Sequence, residues 1–264
     1  MKSIASAPAK IILFGEHFVV HGTKAILAAI DKRVTVTTTT TQKQTLKINS
    51  QLGTFEIPMY DEGVESRPNV HALAYAARRG VDDPNFARIK SEFRPFVYLA
   101  GKMLDYARSS RGYPLNFDYG GLEITIDSDI PVGVGLGSSS ACCVAAAASL
   151  SAIFRMAIGK DRVEYLIKRG DIPIGNETDA RFNLAKHAEQ TIFPDTSGAD
   201  CAGCTYGGMI EHPNIEKIDN TFDLNLLIAN SMIPTTRRTV LRRSINSRKM
   251  TRKGFQNYVI LKTN

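Results

Sequence analysis

A mixed fold of strands and helices is predicted by three features of this 264-residue chain. The first 60 or so residues alternate β-prone segments with turns, two later stretches have helical spacing, and a strand-like segment feeds a glycine-rich loop that opens onto one of those helices. In chain order, Lys10–Phe14 is an apolar strand ended by a glycine turn, Lys32–Thr41 is a threonine-rich strand, and Thr45–Ile57 is a third β-prone run. Arg67–Asn85 is polar and carries Pro68 and Pro84, which suits an inserted loop or a short helix. Phe96, Val97, Leu99, Ala100, Met103, Leu104 and Ala107 give Phe93–Ser109 the apolar face of a helix. Gly121–Asp127 alternates as a strand, and an alanine-rich helix follows from Ser140. Further helices are predicted over Asp161–Arg169 and Asp179–Thr191, then a loop at Ser197 and a strand near Leu224–Asn230.

The run Pro131-Val132-Gly133-Val134-Gly135-Leu136-Gly137-Ser138-Ser139-Ser140 carries the most chemistry. Alternate glycines let a backbone turn tightly and bring its N–H groups close to a ligand that a Cβ would obstruct. Unpaired amides and the positive dipole end of the following helix face the same loop, a favourable place for an oxyanion. The plainer reading is a glycine-rich turn capping a buried helix, and the three serines weigh against it. No Gly-Lys-Ser/Thr follows, and no Gly-x-Gly-x-x-Gly enters the helix, so neither the Walker A nor the dinucleotide pattern applies.

Two other segments carry paired chemistry. Lys10 precedes an apolar run and the turn Gly15-Glu16-His17, with Val19-Val20-His21-Gly22 beyond it. Taken alone, Lys10 is a strand-edge charge and Glu16 and His17 are solvated turn residues. Glu189 ends a helical segment and Asp200 follows the loop Asp195-Thr196-Ser197-Gly198. Isolated acids of that kind are ordinarily surface charges.

Together the three segments resemble the GHMP kinases. Pro131–Ser139 resembles their second signature, Lys10–Gly22 is similar to the N-terminus of the mevalonate kinases among them, and Glu189…Ser197-Gly198-x-Asp200 resembles a Glu…Pro-Ser-Gly-x-Asp region of those same kinases, with Asp195-Thr196-Ser197 where the family tends to have Thr-Pro-Ser. The resemblance implies an α+β, two-domain GHMP kinase fold. It comprises a ribosomal protein S5 domain 2-like N-terminal domain and a ferredoxin-like C-terminal domain, with the active site between them. It also implies ATP and Mg²⁺ as cofactors. Gly133, Val134, Gly135, Leu136, Gly137, Ser138 and Ser139 hold the nucleotide phosphates with Lys10, and Ser128 contacts the nucleotide. Ser139 and Glu189 ligate the metal, Asp200 and Lys10 are catalytic, and Glu16 and His17 lie near the acceptor. Whether Asp200 takes the proton or Lys10 acidifies the hydroxyl is left open. Mevalonate is the acceptor the resemblance favours, giving 5-phosphomevalonate for isoprenoid and sterol synthesis. Phosphomevalonate, homoserine and galactose are the alternatives, as is a non-catalytic product that binds nucleotide or a full-length partner.

The family's third, glycine-rich signature is not found, and the resemblance fades near Val240. The expected organisation is therefore an ATP-binding domain over residues 1–223 and the start of an incomplete C-terminal domain over 224–264, ending in a divergent tail. Nine of the 33 basic residues, and no acidic one, lie in 224–264, so the net charge of +7 belongs to the tail. Without aromatic interleaving that tail does not read as a nucleic-acid module. With no apolar run long enough for a membrane span and no signal-peptide pattern, the expected compartment is the cytoplasm and no membrane partner is expected. A homodimer is compatible with the resemblance. Cys142 and Cys143 are read as small packing residues. Cys201-Ala-Gly-Cys204 has metal or redox spacing but lacks a second ligand pair.

Overall fold

The computed structural model describes residues 1–16, 23–59, 88–108, 120–158, 177–219, 227–228 and 259–260. His17, the Arg67–Asn85 segment, the helix expected over Asp161–Arg169 and most of the tail lie outside the described residues.

One seven-stranded sheet organises the fold. Its centre is β2 (Ala25–Thr41), a 17-residue strand flanked along one edge by β1 (Lys2–Phe14). The other edge of β2 pairs in two stretches. Its C-terminal half lies antiparallel to β5 (Gly121–Ser128), and Ala25–Ala28 pair with β6 (Met209–His212). The hairpin of β3 (Thr45–Ser50) and β4 (Gly53–Pro58) extends the sheet beyond β5, and β7 (Glu216–Lys217) extends it beyond β6. A two-residue ladder joins β8 (Leu227–Ile228) to β9 (Val259–Ile260).

Both long strands exceed their expected lengths. The polar, small-residue stretch Lys2–Ala9 has little strand signal of its own and is held by its ladder to β2. Within β2, residues 25, 27 and 30 are buried before the bulge and 34, 36 and 38 after it, so the period of two is broken. The first of the ladder's two register shifts falls between Pro8 and Ala9, where Pro8 has no N–H to give the ladder, and the second between Ile12 and Phe14. After the first, Ala9 and Lys10 are both buried in succession. Ala7, Ala9 and the partly buried Ile11 keep the period of two toward the main core, so Lys10 lies on the other face, where its side chain is covered at Gly137 and Gly203.

Four helices are described. α1 (Arg94–Arg108) buries Phe96, Val97, Leu99, Ala100, Met103 and Leu104, the face predicted from spacing. α2 (Ser138–Ile158) begins two residues earlier than expected, with Ala141 N–H donating to Gly137 O at 2.9 Å. Its small residues Ala141, Ala145, Ala146 and Ala147 are fully buried, which lets the helix lie close to the sheet. There Ser149 Oγ donates to Thr38 Oγ1 at 2.8 Å, so neither buried hydroxyl is left unpaired. α3 (Glu177–Gln190) and the short α4 (Ala199–Tyr206) complete the layer. Helix α4 and strand β6 were not expected from sequence. No helix among the described residues is long and apolar enough to cross a membrane.

Candidate active site

The glycine-rich loop connects β5 to α2 through three glycines that all have left-handed backbone, with φ of 78° at Gly133, 79° at Gly135 and 75° at Gly137. Alternation of left-handed residues with ordinary ones turns successive N–H groups toward one side, an arrangement suited to anions. A Cβ at Gly133 or Gly135 would meet nothing within 4 Å, so the space beside the loop is open to a ligand. Gly137 differs, because a Cβ there would come within 2.9 Å of Lys10 Cε.

Lys10 joins the loop to the opposite wall. Its backbone N–H donates to Leu136 O at 3.0 Å, so the loop covers this part of the outer edge of β1. Its Nζ donates to Gly135 O at 3.1 Å and lies 3.1 Å from Asp200 Oδ1. The lysine side chain is 4% exposed and that of Asp200 16%, so the pair is held largely away from water. Asp200 stands in the first turn of α4, which starts at left-handed Gly198. Further along α4, Gly203 makes room for the lysine stem, since a Cβ there would sit 3.0 Å from Lys10 Cβ. Glycines on two elements therefore flank one lysine. Gly203 was not singled out from sequence, although its i+3 spacing from Asp200 puts both on one helix face.

Glu189, at the end of α3, is 1% exposed. Its Oε1 accepts from Ser140 Oγ and, at 3.5 Å, from Ser139 Oγ. Its Oε2 accepts from Thr196 Oγ1 at 3.0 Å and faces Cys201 Sγ at 3.5 Å. Among the described residues no cationic side chain pairs with this carboxylate. A buried carboxylate supported only by neutral donors, beside a hydroxyl and an anion-binding loop, is a donor set that fits a small hard divalent cation. Of the expected ligands, Ser139 and Glu189 are thus brought together. Ser140 and Thr196 join them unpredicted.

Ser128 ends β5, where its Oγ accepts from Ile130 N–H at 3.2 Å and lines a cavity of about 230 Å³. Val132, Ser138 and Ser139 from the loop share that cavity with apolar Leu52, Phe96, Ile126 and Phe193. A mostly apolar pocket adjoining an anion loop suits a flat heterocycle attached to phosphates. Glu16 is exposed in the turn after β1 and makes no hydrogen bond or ion pair to a described residue.

The four cysteines are free thiols, three of them buried and Cys142 partly so. Burial raises Cys143, Cys201 and Cys204 well above the ordinary range, with the Glu189 charge adding for Cys143 and Cys201 and the Asp200 charge for Cys204. Burial alone pushes Cys142 up to about 12. A thiol is reactive as its thiolate. All four cysteines are accordingly expected to resist a disulfide reagent at pH 8 in the native protein and to react on unfolding. Rapid labelling of Cys201 or Cys204 without unfolding would contradict this placement.

His212 ends β6 and is buried. Burial holds its imidazole below the usual histidine value of 6.5 and the Lys186 charge adds to this, against a Ser197 backbone contact and the Asp200 charge, which pull it up. The folded state therefore favours the neutral ring. Its contribution to stability is fully present above the unfolded value of about 6.5 and is lost as pH falls through the depressed folded value. Melting temperature should drop across that window in acid, and His212→Gln should flatten the drop. An unchanged slope in the variant would remove His212 as its source.

A glycine anion loop at a helix N-terminus, a buried lysine–aspartate pair and a buried carboxylate gather around one site, and residues 98–208 match the GHMP kinases N terminal domain family. That match takes in the glycine loop, Glu189 and Asp200 but fewer than half of the chain's residues. It is 31% identical over 219 residues to a mevalonate kinase of Archaeoglobus fulgidus, covering 83% of this chain and 56% of that protein. A mevalonate kinase of Methanothermobacter thermautotrophicus is 33% identical over 210 residues, covering 80% and 50%. Among solved structures, the Methanococcus jannaschii mevalonate kinase superposes with a TM-score of 0.56 at 24% identity, covering 83% of this chain and 56% of that one. The chain spans about half the length of the curated relatives it matches.

Proposed function

We propose that this chain carries the ATP-binding and catalytic half of a kinase that transfers the γ-phosphoryl group of ATP to mevalonate, forming 5-phosphomevalonate. The observation that carries the reading is Lys10, whose ammonium holds Gly135 O and Asp200 Oδ1 at 3.1 Å each. One cation thereby ties the glycine loop to the carboxylate that this reading assigns to the acceptor. The archaeal relatives favour mevalonate as that acceptor.

Phosphoryl transfer needs positioning and charge neutralisation more than covalent assistance from the protein. The amides of Gly133–Ser139 receive the phosphates, and the cavity beside Ser128 receives the base. Ser139 and Glu189 would hold Mg²⁺, which when bound neutralises phosphate charge. Asp200 orients the acceptor hydroxyl and accepts its proton as the new O–P bond forms and the bond to ADP breaks. Lys10 pairs with Asp200 and faces the negative charge developing on the acceptor oxygen. Glu16 and His17 belong to the acceptor side in this reading. Cytoplasmic placement and a homodimer are also part of it, as is a division into an ATP-binding domain over 1–223 and a second domain opening at 224.

The test is ATP turnover by the purified chain with mevalonate, phosphomevalonate, galactose or homoserine. The reading predicts turnover on mevalonate above the other three. Preference for another alcohol would replace the acceptor, and silence on all four from folded protein that binds Mg·ADP would overturn catalysis by this chain.

A further inference from the structure

Beyond that reading, and resting on it, we propose that Ser140 and Thr196 are positioning residues that clamp Glu189 for its divalent cation. The two hydroxyls come from different elements, Ser140 from the first turn of α2 and Thr196 from the loop before α4. They also take different oxygens. Ser140 donates to Oε1 and Thr196 to Oε2, so rotation of the carboxylate breaks one bond or the other.

Neutral donors suit this task better than a lysine or arginine would. A cationic partner would fix the carboxylate equally well but would cancel the charge that attracts the metal. Hydroxyls fix it and leave its charge in place. Ser140 is fully buried and Thr196 is 8% exposed, so water is poorly placed to substitute for either. Ser139 Oγ, at 3.5 Å from the same Oε1, is the looser contact and is the hydroxyl left to turn toward a cation.

Thr196 has a second connection. Its Oγ1 accepts from Gly198 N–H at 3.3 Å, and Gly198 is the left-handed residue that starts α4 two positions before Asp200. A single hydroxyl thus links the metal-binding carboxylate to the start of the helix that carries Asp200. Loss of that hydroxyl disturbs metal binding directly and Asp200 through the helix start.

The experiment measures Mn²⁺ binding to the full chain by electron paramagnetic resonance in the presence of ADP. ADP binding without metal is measured in parallel by calorimetry. The proteins are wild type, Ser140→Ala, Thr196→Val, Thr196→Ser and Glu189→Gln. Partners that orient a metal ligand typically contribute 10–100-fold to metal affinity. Ser140→Ala and Thr196→Val should each weaken Mn²⁺ binding by roughly tenfold or more, with metal-free ADP binding unchanged and Thr196→Ser close to wild type. If both variants bind Mn²⁺ like wild type while Glu189→Gln loses it, the clamp is wrong and Glu189 remains a ligand. If Glu189→Gln itself binds Mn²⁺ normally, the metal assignment fails and the clamp with it. Should Thr196→Val not fold, Ser140→Ala against wild type decides the matter.

Discussion

Asp200→Asn is expected to lower kcat for ATP-dependent phosphorylation by about 10²–10⁴-fold, the range over which positioned proton transfer contributes to catalysis. The amide keeps the size of the carboxylate but removes its charge and its capacity to take a proton. Lys10 then keeps its bond to Gly135 O and loses its ion-pair partner in a pocket where the lysine is 4% exposed. Removing one member of a buried pair commonly destabilises by about 3–5 kcal/mol. Partial exposure of Asp200 places the cost here at the lower end of that range. The variant should therefore melt at lower temperature yet still bind Mg·ADP, since the loop and Glu189 are untouched. Steady-state kinetics together with nucleotide titration check this. Retention of kcat within tenfold would remove Asp200 from the chemistry. Lys10→Met in parallel separates the two catalytic schemes: if Asp200 is the base, Lys10→Met keeps a rate above that of Asp200→Asn, whereas acidification by Lys10 makes the two losses equal.

Gly137→Ala is expected to be the most damaging single-methyl addition in the loop. An alanine at φ 75° is strained by about 1–3 kcal/mol. Its Cβ would also press on Lys10 at 2.9 Å from Cε and 3.0 Å from Cγ. A free lysine could swing aside, but this one is tied at its backbone N–H and at Nζ. Gly133→Ala and Gly135→Ala carry similar backbone strain and open space for the methyl. Those two should lose comparable stability through strain alone and weaken nucleotide binding because the methyl occupies the anion space. Gly137→Ala should lose more stability than either and, in addition, kcat through displacement of Lys10. Thermal melts and kinetics of the three variants check the order. Equal kcat in Gly133→Ala and Gly137→Ala would show that Lys10 is not pinned as described.

The parts of the fold legible in the sequence were those with an uninterrupted period. The apolar face of α1, the alternation of β5 and the alanine run of α2 each carry their own signal. Residues 25–31 did not, because Ala25-Ile26-Leu27-Ala28-Ala29-Ile30 is a continuous apolar run and the bulge in β2 shifts its buried set. Helix α4 was hidden for another reason. Its eight residues Ala199–Tyr206 include Gly203, a weak helix former, and the segment is held by burial against the sheet. The site shows the same division. The glycine loop, Lys10, Glu189 and Asp200 stand out as residue types in unusual company. Ser140, Thr196 and Gly203 are ordinary residues whose contacts arise only when α2, the 191–198 loop and α4 converge on Glu189 and Lys10. The Asp195-Thr196-Ser197 departure from the motif was visible, but its hydrogen bond to Glu189 was not.

A crystal structure of the chain with Mg²⁺ and a non-hydrolysable ATP analogue tests the central claim most directly. The account predicts phosphates within hydrogen-bonding distance of the Gly133–Gly137 amides, the metal between Ser139 and Glu189, and the terminal phosphoryl group facing the Lys10–Asp200 pair. Phosphates bound away from this loop, or a metal that does not touch Glu189, would contradict it.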